Sequence, residues 1–499
     1  MRKIFAGRRS ATESSPFTFA VDTTKVSSTP NFSSGANTFV IPAEPPPFGS
    51  FSFTIGWGDG SSSNLNSTNY NTARTHTYAV AGTYTIKISG TVRGFCFDNI
   101  PAGAQINDRD KLINISIWGG FQATDSGTFQ LCSNFLEITA TDTPGLVFSG
   151  SLRGMFTGCD KLTTINNIKN WNVSICTDTI STFQGCRALE FGSSGQPDLS
   201  GWDVSNMTQM RSMFGDCNKF NGQLFTLPAS VSDIQNMFNG AYVFNNGGNS
   251  PPIDNWDVSS CTNFTGLFFQ CENFNRPVNS WNTSSVTSMR LVFGGIESSL
   301  SNAAGGSGYV YLNVYPTTVL TGGGDGNLTV VNESVPSGSI GANLISIVVP
   351  GAGYVEGDTF TVNGPGTNIT GTVGEVRSTT FNQPLNNWDT SNVTDMTGMF
   401  QYNHVFDQDI SSWNVNGWSV FTSLGIYVLA GHSQGDGFTL STTNYDALLV
   451  AWDAYSFPSL SGTGTVYFGN SQYSLGTAAE TARTSLIAKW GAISDGGGV

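Results

Sequence analysis

At 499 residues with a net charge of −14, and with only 21 Lys and Arg, the chain is unsuited to holding a phosphate backbone, which is bound through clustered cations. Charged residues make up 11% of it, against roughly 25% in an average domain, yet 35 Phe and 11 Trp exclude wholesale disorder. The length calls for more than one core, and no segment approaches the roughly 20 apolar residues of a membrane-spanning helix.

The first residues, Met1-Arg2-Lys3-Ile4-Phe5 with Arg8-Arg9, have the charged opening of a signal peptide without its apolar stretch. No Cys lies nearby for lipid attachment, so the usual secretory route is not expected. Residues 1–35 read as an N-terminal arm and first strand. Strand-like alternation follows in Phe51-Ser52-Phe53-Thr54-Ile55 and Thr83-Tyr84-Thr85-Ile86-Lys87-Ile88, with Asp59-Gly60 as a hairpin turn. Trp57-Gly58-Asp59-Gly60, then His76-Thr77-Tyr78 and Gly82-Thr83-Tyr84, resembles a PKD-type (Ig-like) β-sandwich over residues 36–92. Asp59 is the one residue there that invites a Ca²⁺ reading; an Asp in a glycine turn is expected to be structural, and no metal is assigned.

Residues 93–296 and 379–438 repeat one phrase. Trp171-Asn172-Val173-Ser174, Trp202-Asp203-Val204-Ser205, Trp256-Asp257-Val258-Ser259, Trp281-Asn282-Thr283-Ser284 and Trp388-Asp389-Thr390-Ser391 are each followed, twelve residues after the Trp, by Phe. Counting Trp as zero, position six is always Thr (Thr177, Thr208, Thr262, Thr287, Thr394), a good helix N-cap. Apolar residues at eight, eleven and twelve, as in Met210, Met213 and Phe214, have the spacing of one helix face. The expectation is a leucine-rich-repeat-like solenoid of strand plus short helix. Cys132, Cys159, Cys186, Cys217 and Cys271 each sit three residues after the repeat Phe, and Cys176 and Cys261 fill position five. All are expected as reduced core thiols, with disulfides between adjacent coils as the alternative, and no Cys-x-x-Cys pair suggests a metal.

Phe400 follows Phe293 by 107 residues where about 25 are expected, which places an insertion of about 82 residues at 297–378. Gly-rich stretches around Leu344-Ile345-Ser346-Ile347-Val348-Val349 predict a small inserted β-domain. Insertions in repeat arrays emerge on one face and commonly bind, so this is the expected specificity element, with a plain spacer as the alternative. Residues 439–499 predict an α/β C-terminal cap: helices from Thr442 to Trp452 and from Thr477 to Trp490, and a strand at Val466-Tyr467-Phe468.

One motif invites an enzyme. Gly431-His432-Ser433-Gln434-Gly435 has the form of a nucleophile elbow. In that fold the catalytic His follows the Ser, and the chain has only His76, His404 and His432, none of them after Ser433. No catalytic, cofactor-binding or metal-ligating residue is assigned, and no cofactor is expected.

The arrangement as a whole resembles the BspA-like leucine-rich-repeat surface proteins, whose repeat reads WDVSNVTDMSGMF. The resemblance is carried by the Trp phrases, by Phe381-Asn382-Gln383-Pro384-Leu385-Asn386-Asn387-Trp388 and by Asn444-Tyr445-Asp446-Ala447-Leu448-Leu449. It implies a mixed β/α repeat protein that binds or adheres rather than catalyses. Gly306-Ser307-Gly308-Tyr309 and Gly353-Tyr354-Val355-Glu356-Gly357-Asp358 resemble modules of tailed-phage structural proteins. Together these imply a virion surface protein (fibre, decoration or adhesion protein). Its partners would be other virion structural proteins and a host surface glycan or protein, with no nucleic acid and no membrane insertion; oligomerisation is left open. A cellular adhesin at the cell surface is the alternative, and a glycan depolymerase a remote one.

Overall fold

The computed structural model describes residues 15–27, 33–43, 52–66, 68–92, 94–97, 108–123, 127–146, 150–190, 199–246, 252–295, 379–417, 439–456 and 464–499, and between 300 and 373 the backbone of six strands. Most regular structure is β, with few helices. The chain forms two compact units, Met1–Thr226 and Leu227–Val499.

In the first unit, alternating or continuous apolar runs form β1 (Phe17–Asp22), β2 (Thr38–Val40) and β3 (Ser52–Gly56), and the polar β4 (Ser62–Asn66) buries Leu65. After the short helix α1 (Tyr70–Ala73) come β5 (Thr75–Thr77), β6 (Thr83–Ser89), β7 (Leu112–Ile117), β8 (Glu137–Ile138) and β9 (Thr164–Ile165). Seven of them make one sheet in the order β4-β3-β6-β1-β7-β8-β9, and β2 pairs with β5 in a small second sheet. Pairing is antiparallel as far as β7 and parallel from β7 to β9, where each strand belongs to the next repeat. Strand β1 lies between β6 and β7, so the N-terminal sheet continues into the first repeats without a break.

The Trp57–Gly60 phrase forms the expected hairpin: Trp57 donates its backbone N–H to the Ser61 carbonyl at 3.1 Å between β3 and β4. Gly58 is required there, because at φ +88° a Cβ would lie 2.6 Å from the Thr85 carbonyl oxygen. A second anchor of this unit is buried. Asp108 and Lys111, both fully enclosed, pair at 3.1 Å. The Asp108 carboxylate accepts from the backbone N–H groups of Ser34 and Val40, each at 2.8 Å, and from the hydroxyls of Ser33 and Ser34. Lys111 Nζ donates to the carbonyls of Ser34, Gly35 and Thr38.

The repeats correct one expectation. Where the apolar spacing predicts a short helix, the residues form hydrogen-bonded turns; among the described residues the α-helices lie outside the repeats, and only single 3-10 turns at Ile168–Asn170 and Ile253–Asn255 precede Trp171 and Trp256. The cause is backbone handedness. The residue two before each repeat Phe has φ above zero: Gly127, Gly154, Ser181 and Ser212 in the first unit, and Asn236, Gly266, Leu291 and Gly398 in the second. So does the residue two after it at Leu131, Gly158, Gly185, Asp216, Gly240, Gln270 and Tyr402. A left-handed residue ends a right-handed helix, and two per coil turn the chain instead.

Position-six Thr is likewise no N-cap. In the first unit the Thr208 N–H donates to the Thr177 carbonyl at 2.9 Å and its hydroxyl reaches the same oxygen at 3.2 Å. In the second, Thr287 treats Thr262 in the same way, and Thr394 treats Thr287. Side chain and backbone thus bond coil to coil.

The turns still bury the predicted face. In the first unit Phe129, Phe156, Phe183 and Phe214 stack with ring centroids 5.6, 5.7 and 5.6 Å apart and planes within 11°. In the second, Phe238, Phe268, Phe293 and Phe400 stack at 5.6, 5.9 and 5.9 Å. Each buried Phe contributes about 1.5–3 kcal/mol. A Trp indole N–H donates to the carbonyl three residues before the preceding coil's Trp: Trp202 to Ile168, Trp281 to Ile253, Trp388 to Val278 and Trp413 to Leu385, at 2.8–3.0 Å. Trp171, the first Trp of the series, has no such carbonyl, and its Nε1 has no hydrogen-bond partner.

The cysteines are free and buried, as expected. Their thiols add a bond the spacing does not reveal. Cys159, Cys186 and Cys217 donate to the carbonyls of Phe129, Phe156 and Phe183 at 3.1, 3.1 and 2.9 Å, and Cys271 donates to Phe238 at 3.0 Å.

Beyond the repeats, helix α2 (Thr442–Trp452) buries Tyr445, Leu448, Leu449 and Trp452 as predicted. It packs with helix α3 (Ala478–Trp490), whose N-cap Thr477 accepts from the Ala479 N–H. Asp495 ties the last strand down: it accepts a bidentate pair from Arg483 at 2.7 and 2.9 Å and the Tyr445 hydroxyl at 2.7 Å. Asp407 receives the Ser441 N–H and the Asn444 amide, so the last coil meets this cap through side-chain bonds.

Candidate binding surface

The insertion leaves and re-enters the second unit inside one coil. In an uninterrupted repeat the core Phe stacks on another six residues later, as Phe268 does on Phe274 at 3.8 Å and Phe400 on Phe406 at 3.9 Å. Phe293 finds its partner 88 residues on, in Phe381, at 3.7 Å and 5° between planes. The excess over six is 82 residues, the length that the spacing predicts.

The coil closes beneath the insertion. Before it, the N–H groups of Met289, Leu291 and Phe293 donate to the carbonyls of Asp395, Thr397 and Met399 at 2.8–3.0 Å. After it, Thr380 donates to Glu272 at 3.1 Å, and Thr379 donates its hydroxyl to the Phe293 carbonyl at 2.9 Å. The column of Phe244, Phe274, Phe381 and Phe406 passes the junction with 5.9, 6.0 and 6.3 Å between rings. Beside the exit, the Gly295 N–H donates to the Gln401 carbonyl, Glu272 accepts from Thr380, and Phe269 lies against Gly294. These three half-buried residues, Gln401, Glu272 and Phe269, line the rim from which the insertion departs.

Inside the insertion the backbone forms β10 (Leu300–Ala304), β11 (Val314–Thr321), β12 (Thr329–Asn332), β13 (Ile345–Val349), β14 (Thr359–Val362) and β15 (Ile369–Val373). They make one antiparallel sheet in the order β10-β15-β14-β11-β12-β13. The β structure that the alternating runs predict is there. Its first and last strands pair, Leu300 with Val373, so entry and exit lie side by side.

Elsewhere, Asp59 accepts from the Ser61 N–H and hydroxyl at 2.9 and 2.6 Å and contacts His76 Nε2 at 2.8 Å. Those bonds, the Ser61 hydroxyl foremost, hold its carboxyl well below the usual range. Its oxygens are committed to the turn. Among the described residues no group of three or more His, Cys, Asp or Glu is placed to hold a metal ion. The Gly431–Gly435 motif lies outside the described residues.

Alternation and motif spacing find the rim and the insertion but miss the left-handed positions. Gly at Phe minus two in four of the eight repeats is a signal for them. The stacking makes those positions sensitive. A Cβ on Gly266, at φ +63°, would lie 2.1 Å from Asn236 Oδ1 of the preceding coil. We expect Gly266→Ala to destabilise the second unit by about 1–2 kcal/mol from backbone handedness alone, read as a lowered urea midpoint; an unchanged midpoint would refute the assigned conformation.

The model of a family described as "Mycoplasma protein of unknown function, DUF285" matches residues 126–251, 227–304 and 375–424. The repeats are similar to those of this family. The match lapses after 304 and resumes at 375, so it spans the repeats and skips most of the insertion. This supports a BspA-like repeat protein. No curated protein and no solved structure matches the chain.

Proposed function

We propose that this protein is a non-enzymatic surface structural protein, displayed on a virion, that binds a host surface glycan or protein through the inserted domain. The closed coil beneath the insertion carries the reading. The 82 extra residues contribute nothing that the Phe293–Phe381 stack or the inter-coil bonds need, so a role outside the stack accounts for their presence. Repeat surfaces of this kind serve recognition by holding a projecting element on a rigid support. The DUF285 match supports a surface repeat protein. The resemblance of the Gly-Ser-Gly-Tyr elements to tailed-phage modules favours a particle as its bearer.

The bacterial group in the family description favours a second reading, a cellular adhesin of the same architecture. Mass spectrometry of purified particles separates the two: we expect this chain among the structural proteins, and its absence there would leave the adhesin. The binding role is tested by incubating host cells with labelled protein, intact or with residues 296–378 replaced by one Ala. Retention of at least tenfold more intact protein is expected. Equal retention would assign binding to the repeats instead.

A further inference from the structure

We infer that the inserted domain is two copies of one three-stranded unit that complete each other by exchanging strands, so that the partner each unit is built to recognise is another copy of itself. The first half runs β10, Gly306-Ser307-Gly308-Tyr309-Val310, β11, β12; the second runs β13, Gly351-Ala352-Gly353-Tyr354-Val355, β14, β15. Leu300, Ser301, Gly308, Tyr309 and Val314 recur 45 residues later as Ile345, Ser346, Gly353, Tyr354 and Thr359. After a hairpin four residues shorter, Asn327-Leu328-Thr329 recurs as Asn368-Ile369-Thr370.

Topology carries this further than sequence. Exchanging β10 with β13, β11 with β14 and β12 with β15 turns the strand order β10-β15-β14-β11-β12-β13 into its own reverse. The register obeys the same operation residue by residue. Val314↔Val331 and Pro316↔Thr329 on one side become Thr359↔Thr372 and Thr361↔Thr370 on the other. Asn332↔Ile345 and Thr329↔Val349 become Val373↔Leu300 and Thr370↔Ala304, and both pairings carry a register shift. In the centre Thr317 pairs with Val362, the position 45 residues on, so that pair is its own image. A twofold axis passes through it. The exchange follows: β10 pairs with β15 of the other unit, and β13 with β12. This is an isologous interface, self-complementary as a homodimer's is, enclosed in one chain. A ligand site on one unit recurs on the other, giving two per chain.

The test deletes one copy from the full chain. Removing residues 307–351 joins Gly306 to Ala352 at equivalent positions and leaves β10, β14 and β15. We expect this variant to double its order of assembly relative to the parent in light scattering. Adding Val362→Cys should link chains in pairs under mild oxidation, because that position meets its own image across the axis, whereas Ile369→Cys, off the axis, should not. An undoubled mass with no Val362→Cys crosslink would overturn the inference. In the intact chain, the pairs Leu300→Cys with Val373→Cys and Asn332→Cys with Ile345→Cys should each close within one chain, and to the same extent. Failure of either in peptide maps would equally overturn it.

Discussion

Raising the pH above 9 is expected to unfold the repeats cooperatively, with a loss of stability larger than an ordinary point substitution gives. Burial pushes the thiols of Cys132, Cys159, Cys186, Cys217 and Cys271 well above their ordinary value of 9.0, that of Cys176 to about 11 and that of Cys261 to about 12. Folding holds these acids neutral, so the unfolded chain releases protons that the folded chain keeps. The stability contributed is complete below pH 9 and is lost as pH climbs from 9 toward the raised values. Each such thiol removes about 1 kcal/mol between pH 9 and 10, and about 1.4 kcal/mol per pH unit only once the unfolded thiol is fully ionised. Five of the seven lie in the first unit, so about 5 kcal/mol disappears there between pH 9 and 10, a figure at the lower end of the whole stability of an ordinary domain. Urea unfolding at pH 7.5, 9.0, 9.5 and 10.0 reads the slope directly, and Cys186→Ala should make it shallower by one thiol's share. A flat profile to pH 10.5 would mean that the thiols are not enclosed. The same burial predicts that none of the eight cysteines reacts with a thiol reagent at neutral pH until denaturant is added.

Breaking the Asp108–Lys111 pair is expected to cost 3–5 kcal/mol, roughly the toll of stranding one buried charge. Asp108→Asn keeps the shape but leaves the enclosed Lys111 ammonium without its counter-ion. Lys111→Met leaves the carboxylate charged and removes the donor to the Ser34, Gly35 and Thr38 carbonyls. Because the two residues share one network through Ser34, the double variant should lose clearly less than the sum of the singles. Additive losses in a double-mutant cycle, or singles that cost under 1 kcal/mol, would show that the pair does not clamp residues 33–40 to 108–111.

Much of this architecture is legible in the chain because period and burial speak together. The Trp phrase sets the coils, the Phe spacing gives the approximate length and place of the insertion, and the apolar faces of 442–452 and 477–490 mark the two C-terminal helices. What escapes has physical reasons. An i, i+3, i+4 apolar pattern does not distinguish a helical turn from a tight non-helical one. The difference lies in backbone sign at positions such as Leu131, Gln270, Leu291 and Tyr402, where no glycine advertises it. The Asp108 clamp escapes because its partners at 33–40 lie some 70 residues away and are common serines and backbone amides. The rim is legible only as a location: Phe269, Glu272 and Gln401 come from two different coils, and no motif joins them. The twofold repeat of the insertion is faint in identity and plain in register, since pairing conserves geometry where side chains have diverged.

The claim beneath the rest is that the second unit's coils close across the insertion and do not depend on it. Hydrogen exchange at the amides of Met289, Leu291 and Phe293, in the variant with residues 296–378 replaced by a single Ala, tests this most directly. Those three donate to the coil that follows the insertion, and the replacement restores the six-residue step from Phe293 to Phe381. Protection equal to the parent's is the predicted result. Exchange at the rate of an unfolded chain would contradict it, and would make the insertion a structural part of the stack.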